Sequence, residues 1–374
     1  MREVIKKVAM VILAGGFSQR MGVLKPLLPV GVEPAVIRCV ELANAVGICN
    51  IVVVTGYRDE DILKVLVTKA PDVRVVHNEC YSEGMFSSVL TGVSALSDGI
   101  DGFFLLPADC CAVSSDTFSV LIEAFNNAGK SVVIRPKMGE GSRGHPPLIP
   151  MKYADDILSY NGEDGLKGVL RNFPTVEVNS DDIGVNLDMD TPEDYAVLLE
   201  HLGLPTCPSK SRCMEIFAKL NTPEEIIIHG EQVAKLALGI AEMMMDRGGE
   251  KLNLELLESA SLLHDIKRME VDHAKRGMEL VLKKGYPKTA ILIGRHMDLG
   301  CVVTDVKEQE ILYVADKLCR NGRIVSLEET RKMLEKKFES NSDALKSANK
   351  RIDDASVILS NLKQMYGVTK LPSI

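Results

Sequence analysis

Up to Leu202 the chain alternates short, uninterrupted apolar runs with longer stretches of helical periodicity. The runs at 8–13, 51–55, 73–76, 103–106, 132–134 and 176–178 read as buried strands. The stretches at 36–46, 61–68, 86–95 and 117–128 read as amphipathic helices. A strand with no polar alternation must be covered on both faces, so the pattern predicts an α/β fold with a doubly wound, mostly parallel, Rossmann-like sheet. Ligands of such sheets bind beyond the carboxyl ends of the strands.

After Leu202 the character changes. The stretch 203–213 is rich in Pro and Ser and reads as a linker. Beyond it the periodicity is helical throughout, at 224–245, 254–263, 274–284, 289–295 and 308–319. Two charged helices, 327–338 and 342–366, close the chain, and their Lys and Glu content reads as a solvated face or a contact between subunits. The expected organisation is an α/β domain over 1–202, a linker over 203–213, an all-α domain over 214–325 and C-terminal helices over 326–374.

Composition removes several function classes. The formal net charge is -8, which disfavours a nonspecific grip on nucleic acid backbones. Trp is absent and aromatics are only 5%, so no stacking platform for single strands stands out. The nine cysteines form no CxxC pair, which fits free thiols in a reducing compartment. The first apolar stretch is too short for a signal peptide, and no run approaches the roughly 20 residues of a membrane span. The expectation is a cytoplasmic protein with no membrane and no nucleic acid partner.

The most specific signal in the first half is the loop after the first strand, Leu13-Ala14-Gly15-Gly16-Phe17-Ser18-Gln19-Arg20-Met21-Gly22, followed by Lys25 and Pro26. Glycines let a backbone approach an anion and point amides at it. Arg20 and Lys25 add charge where a triphosphate would sit. The spacing is not that of a Walker A loop. A Gly-Gly pair is also a common tight turn, and the two cations favour phosphate over a bare turn.

This loop resembles the opening of the MobA-like nucleotidyltransferases, which include molybdenum cofactor guanylyl- and cytidylyltransferases. The resemblance covers about residues 5–200. Further segments follow in family order: Thr55-Gly56; Asn78 ahead of Gly84-Met85 and Ser87; Leu105-Leu106-Pro107-Ala108-Asp109; Gly144-His145-Pro146; and Asp188-Met189-Asp190-Thr191-Pro192-Glu193-Asp194. Gly16 in the Gly-Gly pair resembles the guanylyltransferase branch, whereas the cytidylyltransferase branch more often has Ala-Gly; the GHP turn points to cytidylyl transfer. Cys110 and Cys111 stand where the family usually has a Pro.

The resemblance implies that Arg20, Lys25 and Asp109 are catalytic. It implies nucleotide contacts at Leu13, Ala14, Gly15, Gly16, Ser18, Gly22, Thr55, Gly56, Asn78 and Ser87, and substrate contact at His145. Nucleotidyl transfer asks for positioning and charge neutralisation, and a hard cation such as Mg²⁺ suits it. Asp109 is the first choice as its ligand, with Asp188 or Asp190 as second carboxylate. Asp109 could instead cap a helix, and Thr191 with Pro192 reads as an ordinary helix start. The implied substrates are a nucleoside triphosphate, CTP ahead of GTP, and a phosphorylated acceptor such as molybdopterin. A molybdoenzyme or its assembly factors and a second copy of the chain are possible partners. A sugar or alcohol phosphate is the alternative acceptor.

In the second half, His229, His264-Asp265 and Asp316 stand in the order H…HD…D on helices that can aim them at one centre. Mixed His and carboxylate ligands suit a divalent transition metal such as Mn, Fe or Zn. The pattern resembles the HD phosphohydrolase superfamily over about residues 224–320. His229, His264, Asp265 and Asp316 match its ligand positions. Lys267 and Arg268 stand where Gly and Lys are usual. His273 and His296 sit where two-metal members carry extra histidines. A lone buried His is more often a satisfied core group than a ligand; the ordered set favours ligation. An HD half that senses a nucleotide without turnover is the alternative.

Overall fold

The computed structural model describes residues 5–139, 142–300, 305–320 and 323–368. It divides into two compact units, Met1–Leu204 and Pro205–Ile374.

The first unit is built on an eight-stranded sheet. Its strands are β1 (Ile5–Leu13), β2 (Ile48–Thr55), β3 (Arg74–His77), β4 (Gly102–Pro107), β5 (Val133–Met138), β6 (Ser142–Arg143), β7 (Leu148–Pro150) and β8 (Thr175–Asn179). The order is β8-β5-β7-β4-β1-β2-β3, with β6 on β5. Neighbours β4-β1-β2-β3 run parallel, as do β5 and β8. The expected mostly parallel sheet is present, and β1 is buried from Val8 to Leu13 because helices cover both its faces. Ala9, Val11 and Leu13 point to one core, shared with Val89 and Val93 of helix Met85–Ser94. The opposite side is covered by helices Ala35–Ala45 and Ser115–Asn127. The antiparallel strands β6 and β7 are additions to the sequence reading. They are short, and β7 follows Pro147 and ends on Pro150, so no periodic pattern marks it.

The second unit is helical. Helix Lys210–Leu220 begins inside the stretch read as linker, because Ser209 accepts the backbone N–H of Arg212 as an N-cap. It buries Cys213, Ile216 and Phe217, a helical spacing hidden behind the Pro- and Ser-rich run. Helices Glu224–Met245, Leu254–Leu263, His273–Leu282, Pro287–Arg295 and Glu308–Leu318 follow. Ala355, Ile358 and Leu362 of the closing helix Ser342–Tyr366 join the same apolar core as Val233, Leu236 and Leu312. That helix is therefore half core element, where its charge content suggested a solvated face. Among the described residues, no helix is long and apolar enough to cross a membrane.

Candidate active sites in two units

In the first unit a cleft of about 360 Å³ opens at the carboxyl ends of β1 and β4. The β1 loop forms its floor through Leu13, Ala14, Gly15 and Gly16. Gly22 donates its N–H to Ser18 O (3.0 Å), closing the loop, and the Ser18 hydroxyl accepts the N–H of Lys25 (3.1 Å). Lys25 is thereby turned back toward the end of β4. Its Nζ donates to Asp109 Oδ2 (2.9 Å) and Asp190 Oδ1 (2.5 Å). Arg20 Nη2 reaches Asp190 Oδ2 at 2.6 Å. Two cations and two carboxylates from three distant segments thus meet at one mouth.

The electrostatics are those of a poised site. Burial alone would lower the pKa of Lys25, but Asp109 and Asp190 outweigh it and hold the ammonium above its ordinary value. Asp190 is held below the ordinary carboxylate value, first by the hydrogen bond from Lys25. Asp188 moves the other way: partial burial and then the charges of Asp190 and Asp109 raise it. With Asp188 beside them, Asp109 and Asp190 make three carboxylates against the two cations Lys25 and Arg20, and Asp109 with Asp190 suits a hard divalent cation. Asp109 caps no helix, since the next helix is capped by Ser114. Thr191 and Asp194 form a capping box with Pro192 at the first position, a structural role.

Several residues expected to touch nucleotide lie one layer back. Thr55 is buried, and its hydroxyl donates to Val76 O at 3.4 Å. Gly56 packs beneath the loop, where a Cβ would stand 2.8 Å from Gly15 O and 2.7 Å from Tyr81 Cβ. Asn78 donates to the hydroxyls of Ser87 (2.8 Å) and Ser88 (2.9 Å) and accepts the N–H of Cys80, bracing the segment. Ser88 lines the cleft, whereas Ser87 turns to the carbonyls of Cys80 and Gly84. His145 is not among the cleft residues. Its N–H donates to Val185 O (2.8 Å), its Nδ1 has no hydrogen-bond partner, and burial followed by the Arg135 charge lowers its pKa. The sequence reading missed Phe17, Tyr81 and Met85 as cleft residues; Phe17 lies in the glycine loop, Tyr81 starts a 3-10 turn and Met85 opens helix Met85–Ser94.

In the second unit, Gly230 lets helix Glu224–Met245 cross Leu254–Leu263 closely: a Cβ there would sit 2.4 Å from Leu262 O. That crossing brings the rings of His229 and His264 to a centroid separation of 5.2 Å. Asp316 Oδ1 lies 3.3 Å from His229 Nε2 and 3.5 Å from His264 Nε2. Asp265 Oδ2 lies 3.7 and 3.6 Å from the same two atoms. Its other oxygen, Oδ1, faces His273 Nε2 (3.4 Å) and His296 Nε2 (3.6 Å). Asp265 therefore stands between two potential ligand groups, and His273 and His296 belong to the second.

Carbonyls only accept, so His264 Nδ1 donates to Ser261 O (2.8 Å) and His296 Nδ1 to Ile293 O (2.7 Å). The Nε2 lone pairs then face the carboxylates, and His264 Nε2 has no hydrogen-bond partner although fully buried. Converging lone pairs repel unless a cation or protons lie among them, and second-contact carbonyls of this kind orient metal-binding imidazoles. The donor set fits divalent transition ions. Burial would raise the Asp316 carboxyl, but Lys317 Nζ, donating to its Oδ2 at 2.8 Å, outweighs it and holds the carboxyl well below the ordinary range. Arg268 donates to Asp265 Oδ2 at 3.1 Å.

Residues 10–178 match the MobA-like NTP transferase domain and residues 226–321 the HD domain. The molybdenum cofactor cytidylyltransferase of Escherichia coli (strain K12) is 27% identical over 191 residues, covering 51% of this chain and 94% of that protein. A tRNA (cytidine(56)-2'-O)-methyltransferase of Picrophilus torridus is 28% identical over 192 residues, covering 46% of this chain and 49% of that relative, so the chain spans about half its length. Among solved structures, Rv0371c of Mycobacterium tuberculosis H37Rv has a TM-score of 0.45 at 22% identity, covering 52% of this chain and 98% of that one. A nucleotidyl transferase from Methanothermobacter has a TM-score of 0.45 at 24% identity, covering 52% and 96%.

Proposed function

We propose that this chain, which carries a MobA-like NTP transferase domain followed by an HD domain, transfers a nucleotidyl group from CTP, ahead of GTP, to a phosphorylated acceptor of the molybdopterin kind. In that reaction an acceptor phosphate oxygen bonds to the α-phosphorus, and the bond to pyrophosphate breaks. The observation that carries the reading is Lys25, held between Asp109 and Asp190 at the open end of the glycine loop. Lys25 and Arg20 are preplaced cations that can exchange carboxylate oxygens for triphosphate oxygens. Asp109 and Asp190 are the residues that would hold Mg²⁺. When bound, such an ion neutralises charge on the phosphates and the leaving pyrophosphate. The loop amides fix the triphosphate so that little motion remains to be paid for in the transition state. The name of the Escherichia coli relative supports cytidylyl transfer and this acceptor.

The helical unit, in this reading, hydrolyses a phosphoester. His229, His264 and Asp265, with Asp316 beside them, would hold one divalent ion, and Asp265, His273 and His296 a second. Such ions lower the pKa of bound water and orient a phosphate. Lys317 takes Asp316 Oδ2 and leaves Oδ1 facing His229 and His264. A second reading, nucleotide sensing without turnover, is favoured by Arg268, which covers the Asp265 oxygen facing the first group.

Pyrophosphate release with CTP or GTP and molybdopterin tests the first unit. Full activity in Asp109→Ala would remove the cation assignment, and turnover only with sugar or alcohol phosphates would replace the acceptor. Metal analysis of the purified chain tests the second. Stoichiometric Mn, Fe or Zn lost in His264→Ala supports the centre; a metal-free helical unit that binds nucleotide supports sensing.

A further inference from the structure

Phe17 and Tyr57 are the most exposed aromatic side chains among the described residues, at 39% and 36%. They touch each other, with ring centroids 5.2 Å apart. Tyr81 completes a cluster, 5.4 Å from Phe17 and 6.4 Å from Tyr57. Phe17 and Tyr81 line the cleft beside Met85, which is 64% exposed. A chain with so few aromatics leaves Phe17 and Tyr57 partly in water at and beside the cleft, where burying them in the core would have been favourable.

The strand order says where the cluster lies relative to the charges. Asp109 follows β4, Phe17 follows β1, Tyr57 follows β2 and Tyr81 follows β3, and these strands are neighbours in that order. Adjacent strands are about 4.8 Å apart, so the rings extend roughly 5–15 Å from the carboxylate end of the cleft. The reach from a nucleotide's α-phosphate to its base falls in that range. The cluster is also built. Tyr57 donates its N–H to Gly15 O (3.1 Å), and the missing Cβ of Gly56 leaves room for Tyr81.

We propose that Phe17 and Tyr81, backed by Tyr57, form an aromatic wall on which the nucleobase stacks. This rests on reading the charged end of the cleft as a phosphate site. Stacking tolerates any base, because every base has a π-face. The wall therefore supplies affinity, and the choice between cytosine and guanine falls to polar groups beside it.

The test is calorimetric titration of the full chain with CTP, GTP and inorganic tripolyphosphate at fixed Mg²⁺. Phe17→Ala and Tyr81→Ala should each weaken CTP and GTP roughly 5- to 150-fold, while tripolyphosphate affinity stays within twofold. Tyr81→Phe should restore CTP binding. With no Trp in the chain, tyrosine emission reports directly, and CTP should quench it less in Tyr81→Phe than in the parent. Equal losses for CTP and tripolyphosphate, or no loss for either, would overturn the wall. A parent chain that binds CTP but not tripolyphosphate would instead refute the phosphate reading, and the wall would then stand or fall on whether Phe17→Ala weakens CTP.

Discussion

Gly56→Ala isolates the packing beneath the glycine loop from the loop itself. The added methyl would lie 2.7 Å from Tyr81 Cβ, 2.8 Å from Gly15 O and 3.1 Å from Gly15 Cα. These atoms are backbone or Cβ, so no side-chain rotation relieves the overlap. Overpacking of this kind costs about 1–3 kcal/mol. For a unit of this size, each kcal/mol lowers the melting temperature by about 2–4 °C, giving roughly 2–12 °C. The strain falls on Gly15 and Tyr81 together, so CTP affinity should drop as well. Gly16→Ala is the control: nothing lies within 4 Å of its Cβ position. It should leave stability within about 0.5 kcal/mol, and any loss of CTP affinity there reports contact with the ligand. Differential scanning fluorimetry and calorimetric CTP titration give both numbers. A Gly56→Ala chain as stable as the parent would refute the packing role.

Lys25→Met should lower turnover by about 10²–10³ in pyrophosphate release, the scale of losing one preorganised charge partner; an unchanged rate would remove Lys25 from charge neutralisation. Asp182 accepts hydrogen bonds from Ser114 N–H, Thr117 Oγ1 and Gly184 N–H. Burial would raise its pKa, but these donors hold it below the ordinary 3.8. A depressed folded pKa stabilises fully above the unfolded value and fades as pH falls through the folded one. Asp182→Asn should therefore cost about 1–3 kcal/mol near neutrality, and its urea stability should fall less steeply than the parent's below pH ~4. Chelation should destabilise the helical unit by about 2.7 kcal/mol if the ion stands at a hundredfold its Kd. His264→Ala should be insensitive to chelator, and an equal response in both chains would exclude the centre.

The uninterrupted apolar runs specified strands covered on both faces, because only a two-sided core tolerates them, and β1 through β4 lie where that spacing placed them. Helical spacing located Glu224–Met245 and Leu254–Leu263, since a buried stripe repeats at the pitch of the helix. Ordered motifs in the chain mark Lys25, Asp109, Asp190 and the His229, His264, Asp265, Asp316 set. What the linear chain could not show was strand order and helix crossing, because neither is encoded in local periodicity. The order β4-β1-β2-β3 gathered Phe17, Tyr57 and Tyr81 from three loops with no common pattern. The crossing at Gly230 and the turn to His273 and His296 gave Asp265 histidines facing each oxygen. Gly56 reads in the chain as a ligand contact, and only the tertiary structure shows that Tyr81 and Gly15 also close in on its Cα.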